Sequence, residues 1–235
     1  MCFCAITKID APNLMSITIN DSIRKSLVVD SFPSLLDADI RRMYSEKNNE
    51  VDLIPNFVKK LSNVKHLKLS GLIFQNLKMA NVQPSSFLTF INLITLEVCF
   101  IKTWQVRSLF TFLHFSPNLE SLVFSGVCCP YNGDALTLDV VPHCLLMHLN
   151  SIEFQDFKGQ LKELDLVKLF LQNAGVLQTV IIGISSDLSV DSDKKKRKDV
   201  EDFNKKIMEQ LLNYKWASTD CVIKLPSSPC SYQNR

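Results

Sequence analysis

The densest group of potentially reactive side chains consists of two histidines and a cysteine within six residues. These are His143, Cys144 and His148. Imidazole nitrogens and a thiolate are zinc ligands, so this group has the chemistry to hold a metal ion. It lacks a second cysteine pair, and it opens a turn of the repeat described below. We therefore expect the three residues to pack against or cap that turn, and we predict no metal site.

Motifs for enzyme catalysis are missing from the sequence. It contains no G-x-S-x-G, H-E-x-x-H, glycine-rich phosphate loop or paired-carboxylate motif. A cysteine and a histidine that are distant in sequence can still meet in a fold as nucleophile and base, and the sequence leaves that alternative open. We expect a non-catalytic protein without a cofactor.

Five consecutive basic residues form another group: Lys194, Lys195, Lys196, Arg197 and Lys198. Such runs are typical of nuclear localisation signals and of patches that bind anions. Acidic residues on both sides balance the run, which favours a solvated charged loop over residues 187–199 that leads into a helix. Nuclear import is the leading functional alternative.

The composition limits the classes of partner and compartment. The 235 residues include 26 basic and 24 acidic ones, and a formal net charge of +2 is too small to predict nucleic acid or an anionic membrane as the partner. No apolar run approaches the roughly 18 residues of a membrane helix. The first residues lack a secretory signal pattern, and none of the eight cysteines forms a C-x-x-C pair. We expect free thiols in a reducing compartment, the cytoplasm, the nucleus or both.

A recurring apolar pattern defines the elements that would position these side chains. The pattern is Leu-x-x-(Leu/Ile/Val)-x-(Leu/Ile/Val/Phe), and its copies begin at residues 14, 35, 64, 93, 119, 149 and 177. The steps between copies are 21, 29, 29, 26, 30 and 28 residues. Self-similarity at this period is typical of a leucine-rich repeat, in which each coil contributes one strand and a returning segment.

The spacing of apolar residues changes between strand and helix along each coil. Each copy of the pattern alternates as a strand with one buried face does, and segments 51–61, 104–115 and 162–173 have helical spacing. Strands and helical returns in alternation predict right-handed crossovers and a parallel sheet. The predicted fold class is α/β, a leucine-rich-repeat solenoid with a curved parallel sheet. A helix with an apolar face at Phe203, Ile207, Leu211 and Leu212 and a strand at Cys221–Leu225 would cap it.

The repeats depart from the regular pattern at one position. Many leucine-rich repeats place asparagine or cysteine eight residues after the first leucine, where the side chain bonds the backbone of adjacent coils. Because this sequence has no such ladder, we expect irregular turns. The residues at that position are Ser22, Met43, Leu72, Ile101, Val127, Phe157 and Ser185.

The residues between the apolar positions would point to the concave side of the sheet. They are mostly polar and carry both signs of charge, which suits a protein or peptide partner better than a polyanion. Ser70, Cys99 and Ser125 are among these intervening residues. The predicted partner-binding residues are Asp37, Asp39, Arg41, His66, Lys68, Thr95, Glu97, Ser121, Ser151, Glu153 and Gln155.

A stretch from residue 141 to 183 carries the most specific motifs. It contains Val141-Pro142-x-Cys144-Leu145, Phe157-Lys158-Gly159 and Glu163-Leu164-x-Leu166-Val167, and residues 216–221 read Trp-Ala-Ser-x-x-Cys. These motifs closely resemble the FBD domain of plant F-box/leucine-rich-repeat proteins. Upstream, turns such as Ser116-Pro117-Asn118-Leu119-Glu120 resemble the repeat region of the same family.

The resemblance implies a division of the chain into irregular repeats (1–135), an FBD domain that continues the stack (136–226) and a flexible tail (227–235). It implies a non-catalytic module similar to the substrate-binding part of an SCF-type F-box ubiquitin ligase adaptor. Two features differ from the family. A tryptophan common before the Val-Pro element is missing, and no F-box precedes the repeats. We therefore expect a protein target as the partner, and no binding of a Skp1-type adaptor.

Two other functions stay open. A truncated fragment or decoy would bind the target without recruiting a ligase, or would have no partner. A nuclear module would bind anions through the basic run 194–198. A search for the partner, and replacement of the run by glutamine, would separate these alternatives.

Overall fold

The computed structural model describes residues 7–20, 27–29, 32–41, 53–79, 89–102, 105–128, 137–184 and 193–225. In chain order the elements are β1 (Thr7–Ile9), β2 (Ser16–Ile19), β3 (Leu27–Val29), β4 (Asp37–Ile40), α1 (Leu53–Lys59), β5 (His66–Ser70), α2 (Gly71–Met79), β6 (Thr95–Lys102), α3 (Val106–Leu113), β7 (Ser121–Cys128), α4 (His143–Met147), β8 (Ser151–Phe157), α5 (Leu161–Asn173), β9 (Thr179–Ile184), α6 (Asp193–Leu212) and β10 (Val222–Lys224).

Eight strands form one open sheet in the order β10-β9-β8-β7-β6-β5-β4-β2. Every neighbouring pair in this sheet is parallel. The order follows the chain, so each coil lies beside the coil before it, as in a leucine-rich-repeat solenoid. The predicted fold class is confirmed.

A repeated backbone contact joins the coils at the start of each strand. The carbonyl oxygen of the residue before a strand accepts hydrogen bonds from two successive N–H groups of the next coil, at 2.8–3.1 Å. Because each carbonyl has two lone pairs, both bonds can be satisfied at once. The accepting residues are Met15, Leu36, Lys65, Ile94, Glu120 and Asn150.

The apolar positions of the repeat form the core, as predicted. From the copy at Leu35 onward, all three apolar residues of each copy are buried. The first copy, which includes Ile17 and Ile19, is only half-buried against this core. Aromatic rings join the sheet to the helices: the Phe124 ring stacks on Phe154 at a centroid distance of 4.9 Å and contacts Phe170 of α5 at 5.7 Å. The helices therefore cover one face of the sheet.

Three helices lie where the apolar spacing predicts them, as α1, α3 and α5. Helix α5 begins at Leu161 because Gln160 and Glu163 form a capping box. Helices α2 and α4 were not predicted. Among the helices of the described ranges, none has both the length and the apolar content that crossing a bilayer requires.

The two N-terminal coils return through short strands, which the sequence analysis did not predict. Strand β1 pairs with β3 in a separate two-stranded parallel sheet. The step from the first copy of the repeat to the second is 21 residues, against 26 to 30 in the later coils. A shorter return leaves less chain for a helix, and an extended segment spans the same distance with fewer residues.

The C-terminal cap combines α6 and β10, and β10 extends the sheet beside β9 as predicted. Ile207 and Leu211 are buried and Phe203 is half-buried, but Leu212 is 63% exposed, so its assignment to the apolar face was wrong. The predicted charged loop 187–199 also needs correction, because α6 begins at Asp193. Residues 187–192 and the predicted tail 227–235 lie outside the described residues.

A stacked irregularity replaces the asparagine ladder in the central coils. Phe100, Gly126 and Asp156 occupy equivalent positions in β6, β7 and β8, and all three have positive φ angles, of 52°, 86° and 54°. We call these three residues the bulge row, because at each of them the strand bulges and two successive residues point outward. The next residue then points inward, and Ile101 and Phe157 are buried at the position where many repeats have asparagine.

Candidate protein-binding face

The face of the eight-stranded sheet that the helices leave uncovered carries three rows of mostly polar side chains, which we call the polar face. All eleven predicted binding residues lie on it, and strand pairing places ten of them in register, while Arg41 directly follows β4; their role in binding stays a prediction. The first row contains Asp37, His66, Thr95, Ser121 and Ser151; the second contains Asp39, Lys68, Glu97, Val123 and Glu153; the third contains Arg41, Ser70, Cys99, Ser125 and Gln155.

Two ion pairs occupy the N-terminal half of the polar face. The Arg41 guanidinium contacts the Asp39 carboxylate at 2.8 Å for Nη2 and 2.9 Å for Nε, and this hydrogen bonding raises the pKa of Arg41. Lys68 Nζ lies 2.5 Å from Glu97 Oε1 on the neighbouring strand. Both pairs are partly exposed, so each contributes at most about 1 kcal/mol to stability. They fix the positions of the charged groups more than they stabilise the fold.

A shallow depression lies between the first two rows over β2, β4, β5 and β6. Its volume is about 190 Å³, and its lining includes Asp37, Asp39, His66, Lys68 and Glu97. Asp37 and His66 face each other across neighbouring strands, and both are exposed. The sheet geometry thus brings six predicted residues, Thr95 included, around one concavity that is too open to enclose a small molecule.

A hydrogen-bond network crosses the C-terminal half of the polar face. The Ser125 hydroxyl lies within hydrogen-bonding distance of Glu97 Oε1 and 2.8 Å from Gln155 Oε1. Gln155 Nε2 donates to Glu153 Oε1 at 2.9 Å. The network spans β6, β7 and β8 and joins the second row to the third.

Cys99 lies in the third row but is not a reactive thiol. Its side chain is buried, and burial raises its thiol pKa to about 11. The nearby Lys68 ammonium opposes this shift without cancelling it. Nucleophilic cysteines usually have a lowered pKa, and the shift at Cys99 is in the opposite direction.

The sequence analysis missed a fourth row at the edge of the polar face, formed by the bulge residues Phe100, Gly126 and Asp156. Phe100 is 69% exposed, although its backbone is held in a conformation that an aromatic residue rarely adopts. A signal was present: glycines stand seven residues after the first apolar residue of two copies, at Gly71 and Gly126, although only Gly126 has a positive φ and Gly71 begins α2. Repeated glycine at one position indicates a constraint on the backbone there.

In the histidine and cysteine group at the start of α4, the central residue, Cys144, has a structural role. Cys144 is fully buried, its thiol lies 3.7 Å from the Leu113 carbonyl oxygen, and burial raises its pKa to about 12. The rings of His143 and His148 are 5.8 Å apart, and His143 is exposed. Cys144 therefore acts as a core residue that joins α4 to the end of α3.

Glu163 is a buried carboxylate that was not predicted to be unusual. It is 1% exposed, and its oxygens accept backbone hydrogen bonds from Lys158 at 3.1 and 3.2 Å and from Gln160 at 2.8 Å. Burial raises the pKa of Glu163, and the backbone donors act in the opposite direction. The carboxylate holds the turn between β8 and α5, which is a structural role.

The basic run Lys194–Lys198 lies in the first turns of α6, and not in the loop that its charge predicted. Its side chains lie outside the described part of the structure. Its role in import or anion binding stays a prediction.

Comparison with known proteins shows which proteins this chain is similar to. A family model described as FBD matches residues 139–182, the segment that contains α4, β8, α5 and most of β9. The chain is similar to plant F-box/FBD/LRR-repeat proteins. The resemblance inferred from the motifs of residues 141–183 is confirmed.

Three relatives from Arabidopsis thaliana show how far the similarity extends. The FBD-associated F-box protein At5g22730 is 28% identical over 185 residues, which cover 74% of this chain and 39% of the relative. The F-box/FBD/LRR-repeat protein At2g26030 is 28% identical, over 85% of this chain and 47% of the relative. The putative F-box/FBD/LRR-repeat protein At5g44960 is 26% identical, over 81% and 45%.

The chain therefore spans less than half the length of these three relatives. No solved structure matches the chain.

Proposed function

We propose that this chain is a non-catalytic protein-recognition module, and that its polar face binds a protein target. In the longer relatives, whose names include an F-box, this part of the chain would correspond to the substrate-binding half of a ubiquitin ligase adaptor. The observation that carries the proposal is the register of the polar rows on one uncovered sheet face.

The physical basis of recognition would be positioning. The strands are joined by parallel pairing and by paired hydrogen bonds to each preceding carbonyl, so the side chains are held at fixed spacing. Neighbouring strands lie about 4.8 Å apart, and the face from β4 to β8 is therefore about 19 Å wide. A rigid surface of this kind loses little conformational entropy when a partner binds.

The proposal is tested by capturing partners of the tagged chain by proximity labelling and then measuring capture by variants. Reversing the charges in Asp37→Lys, Asp39→Lys and Lys68→Glu together should abolish capture of the identified partner. The matched control reverses the same number of charges on helices, in Arg107→Glu, Asp165→Lys and Asp202→Lys. Retained capture by the first variant, or equal loss in both, would place the binding site elsewhere.

We also propose that this chain acts in the cytoplasm, the nucleus or both. Replacing Lys194–Lys198 with glutamine tests whether the run directs import. Unchanged localisation would show that the run does not direct import and is only part of helix α6.

A further inference from the structure

The bulge row creates a distinct patch at the C-terminal half of the polar face. Gly126 has no side chain, and a Cβ added to it would lie 3.3 Å from Phe100 Cδ1, so the exposed Phe100 ring lies close against this position. Asp156 occupies the equivalent position one strand further on. We call Glu97, Phe100, Ser125, Glu153, Gln155 and Asp156 the β6–β8 patch.

The patch has more hydrogen-bond acceptors than donors. Ser125 has one hydroxyl proton but lies within bonding distance of oxygens on both Glu97 and Gln155. Turning over the Gln155 amide would let its nitrogen donate to Ser125, but would set its oxygen against the Glu153 carboxylate. One of the three contacts lacks a hydrogen in either arrangement.

Ser70 of β5, which lies outside the patch, is a second polar group with an unusual environment. Ser70 stands next to Cys99 in the third row, is only 5% exposed, and its hydroxyl has no hydrogen-bond partner among the described residues. Because Leu67 and Leu69 point into the core, alternation directs Ser70 toward the polar face. Buried polar groups normally have partners.

The charges around the patch narrow the class of partner. Glu97 is paired with Lys68, whereas Asp156 has no ion pair or hydrogen bond among the described residues. Lys102 and Lys158 follow the bulge row, and each of them, like Glu153 within the patch, has a further interaction of its own. The patch itself therefore offers carboxylates, amide and hydroxyl oxygens and an aromatic ring, and it has no cation.

We propose that the β6–β8 patch binds an arginine side chain on an extended segment of the partner protein. This inference rests on the proposed function and names the chemistry of the partner. A guanidinium supplies five N–H donors in one plane, matches carboxylates in pairs and stacks on aromatic rings, whereas an ammonium matches only the charge. The ring of Phe100 and the oxygens of Glu153 and Gln155 would contact it together.

The test uses a capped, fluorescein-labelled peptide, Gly-Ser-Arg-Gly-Ser-Arg-Gly, and the same peptide with glutamine at both arginine positions. Fluorescence anisotropy with the full chain should show saturable binding that is about 10-fold tighter for the arginine peptide. Phe100→Ala should weaken it by about 2- to 30-fold. Glu153→Gln should weaken it by about 10- to 100-fold.

Matched controls separate the patch from general surface effects. Met147→Ala removes an exposed apolar side chain at the end of α4, and Glu120→Gln removes an exposed acidic charge just before β7. Both controls should bind the arginine peptide as the unchanged chain does. No saturable binding, equal binding of both peptides, or binding unaffected by the two patch substitutions would each overturn the inference.

Failure here is distinguishable from failure of the proposed function. If Phe100→Ala and Glu153→Gln leave capture of the identified partner intact while the triple reversal at Asp37, Asp39 and Lys68 abolishes it, recognition by the polar face stands and the arginine site is wrong. If neither set of substitutions abolishes capture of the partner, both proposals are contradicted.

Discussion

Substitution of Gly71 by alanine should strongly destabilise the protein, because two coils approach each other closely there. A Cβ at residue 71 would lie 2.8 Å from the Phe100 carbonyl oxygen, 2.8 Å from Ile101 Cα and 2.6 Å from Gln105 Oε1. Two of these atoms belong to the backbone of β6 and cannot rotate away. Overpacking of this kind costs about 1–3 kcal/mol.

Gln105 adds to the expected loss. Its Oε1 atom accepts a hydrogen bond from the Lys102 N–H at 2.8 Å, and displacing it would leave that donor without its partner, at a cost of about 1–3 kcal/mol. Alanine is favoured over glycine in a helix by up to about 1 kcal/mol, which offsets part of this cost. We expect the free energy of unfolding to fall by about 2–4 kcal/mol and the melting temperature by roughly 4–16 °C.

Urea unfolding followed by circular dichroism measures this loss, and Gly175→Ala is the matched control. A Cβ at Gly175 would meet only the Leu146 carbonyl oxygen, at an ordinary 3.6 Å. That substitution should change the free energy of unfolding by no more than about 1 kcal/mol, in the stabilising direction. Equal stability of the two variants would refute the close approach of α2 to β6 and with it the stacking of these coils.

Three further predictions concern the core and its titratable groups. Phe124→Ala should lower the free energy of unfolding by about 3–5 kcal/mol, because its ring stacks on Phe154 at 4.9 Å in the core; a loss below about 1 kcal/mol in urea would contradict that stacking. Burial raises the pKa of Glu163 above its unfolded value, so its contribution to stability is complete below the unfolded pKa and is lost as pH rises through the folded one. As pH rises from the unfolded to the folded pKa of Glu163, the unchanged chain should therefore lose stability relative to the Glu163→Gln variant. A difference between the urea midpoints of the two proteins that stays constant across this pH range would contradict the prediction. The thiols of Cys99 and Cys144, with pKa values raised to about 11 and 12, should resist iodoacetamide until denaturant is added; peptide mapping that finds both modified in the native protein would show that they are not buried.

The alignment of side chains on the polar face could be predicted from the sequence, because the repeated apolar pattern fixes the strand register. A strand alternates with period two, and every copy of the pattern starts from the same buried position, so the residues between apolar positions must align from coil to coil. Asp37, His66 and Thr95 each lie two residues after the first apolar residue of their copy, and the strands pair them in register.

The bulge row was not predicted, because at Phe100 and Asp156 the local preference opposes it and only glycine positions signalled it. Phe100 adopts a positive φ that costs an ordinary residue about 1–2 kcal/mol. The extent of α6 was missed for a related reason. Five basic residues near a helix N-terminus oppose the helix dipole, so the charges favoured a loop, but buried Val200, Ile207 and Leu211 anchor the helix.

Site-specific photocrosslinking tests the central claim, recognition by the polar face, most directly. A photoreactive amino acid at Ser121, in the middle of the first row, should crosslink to the partner that proximity labelling identifies. The same amino acid at Thr111, exposed on α3, should not. Crosslinking from Thr111 and none from Ser121 would show that the partner binds the helical side and would contradict the account.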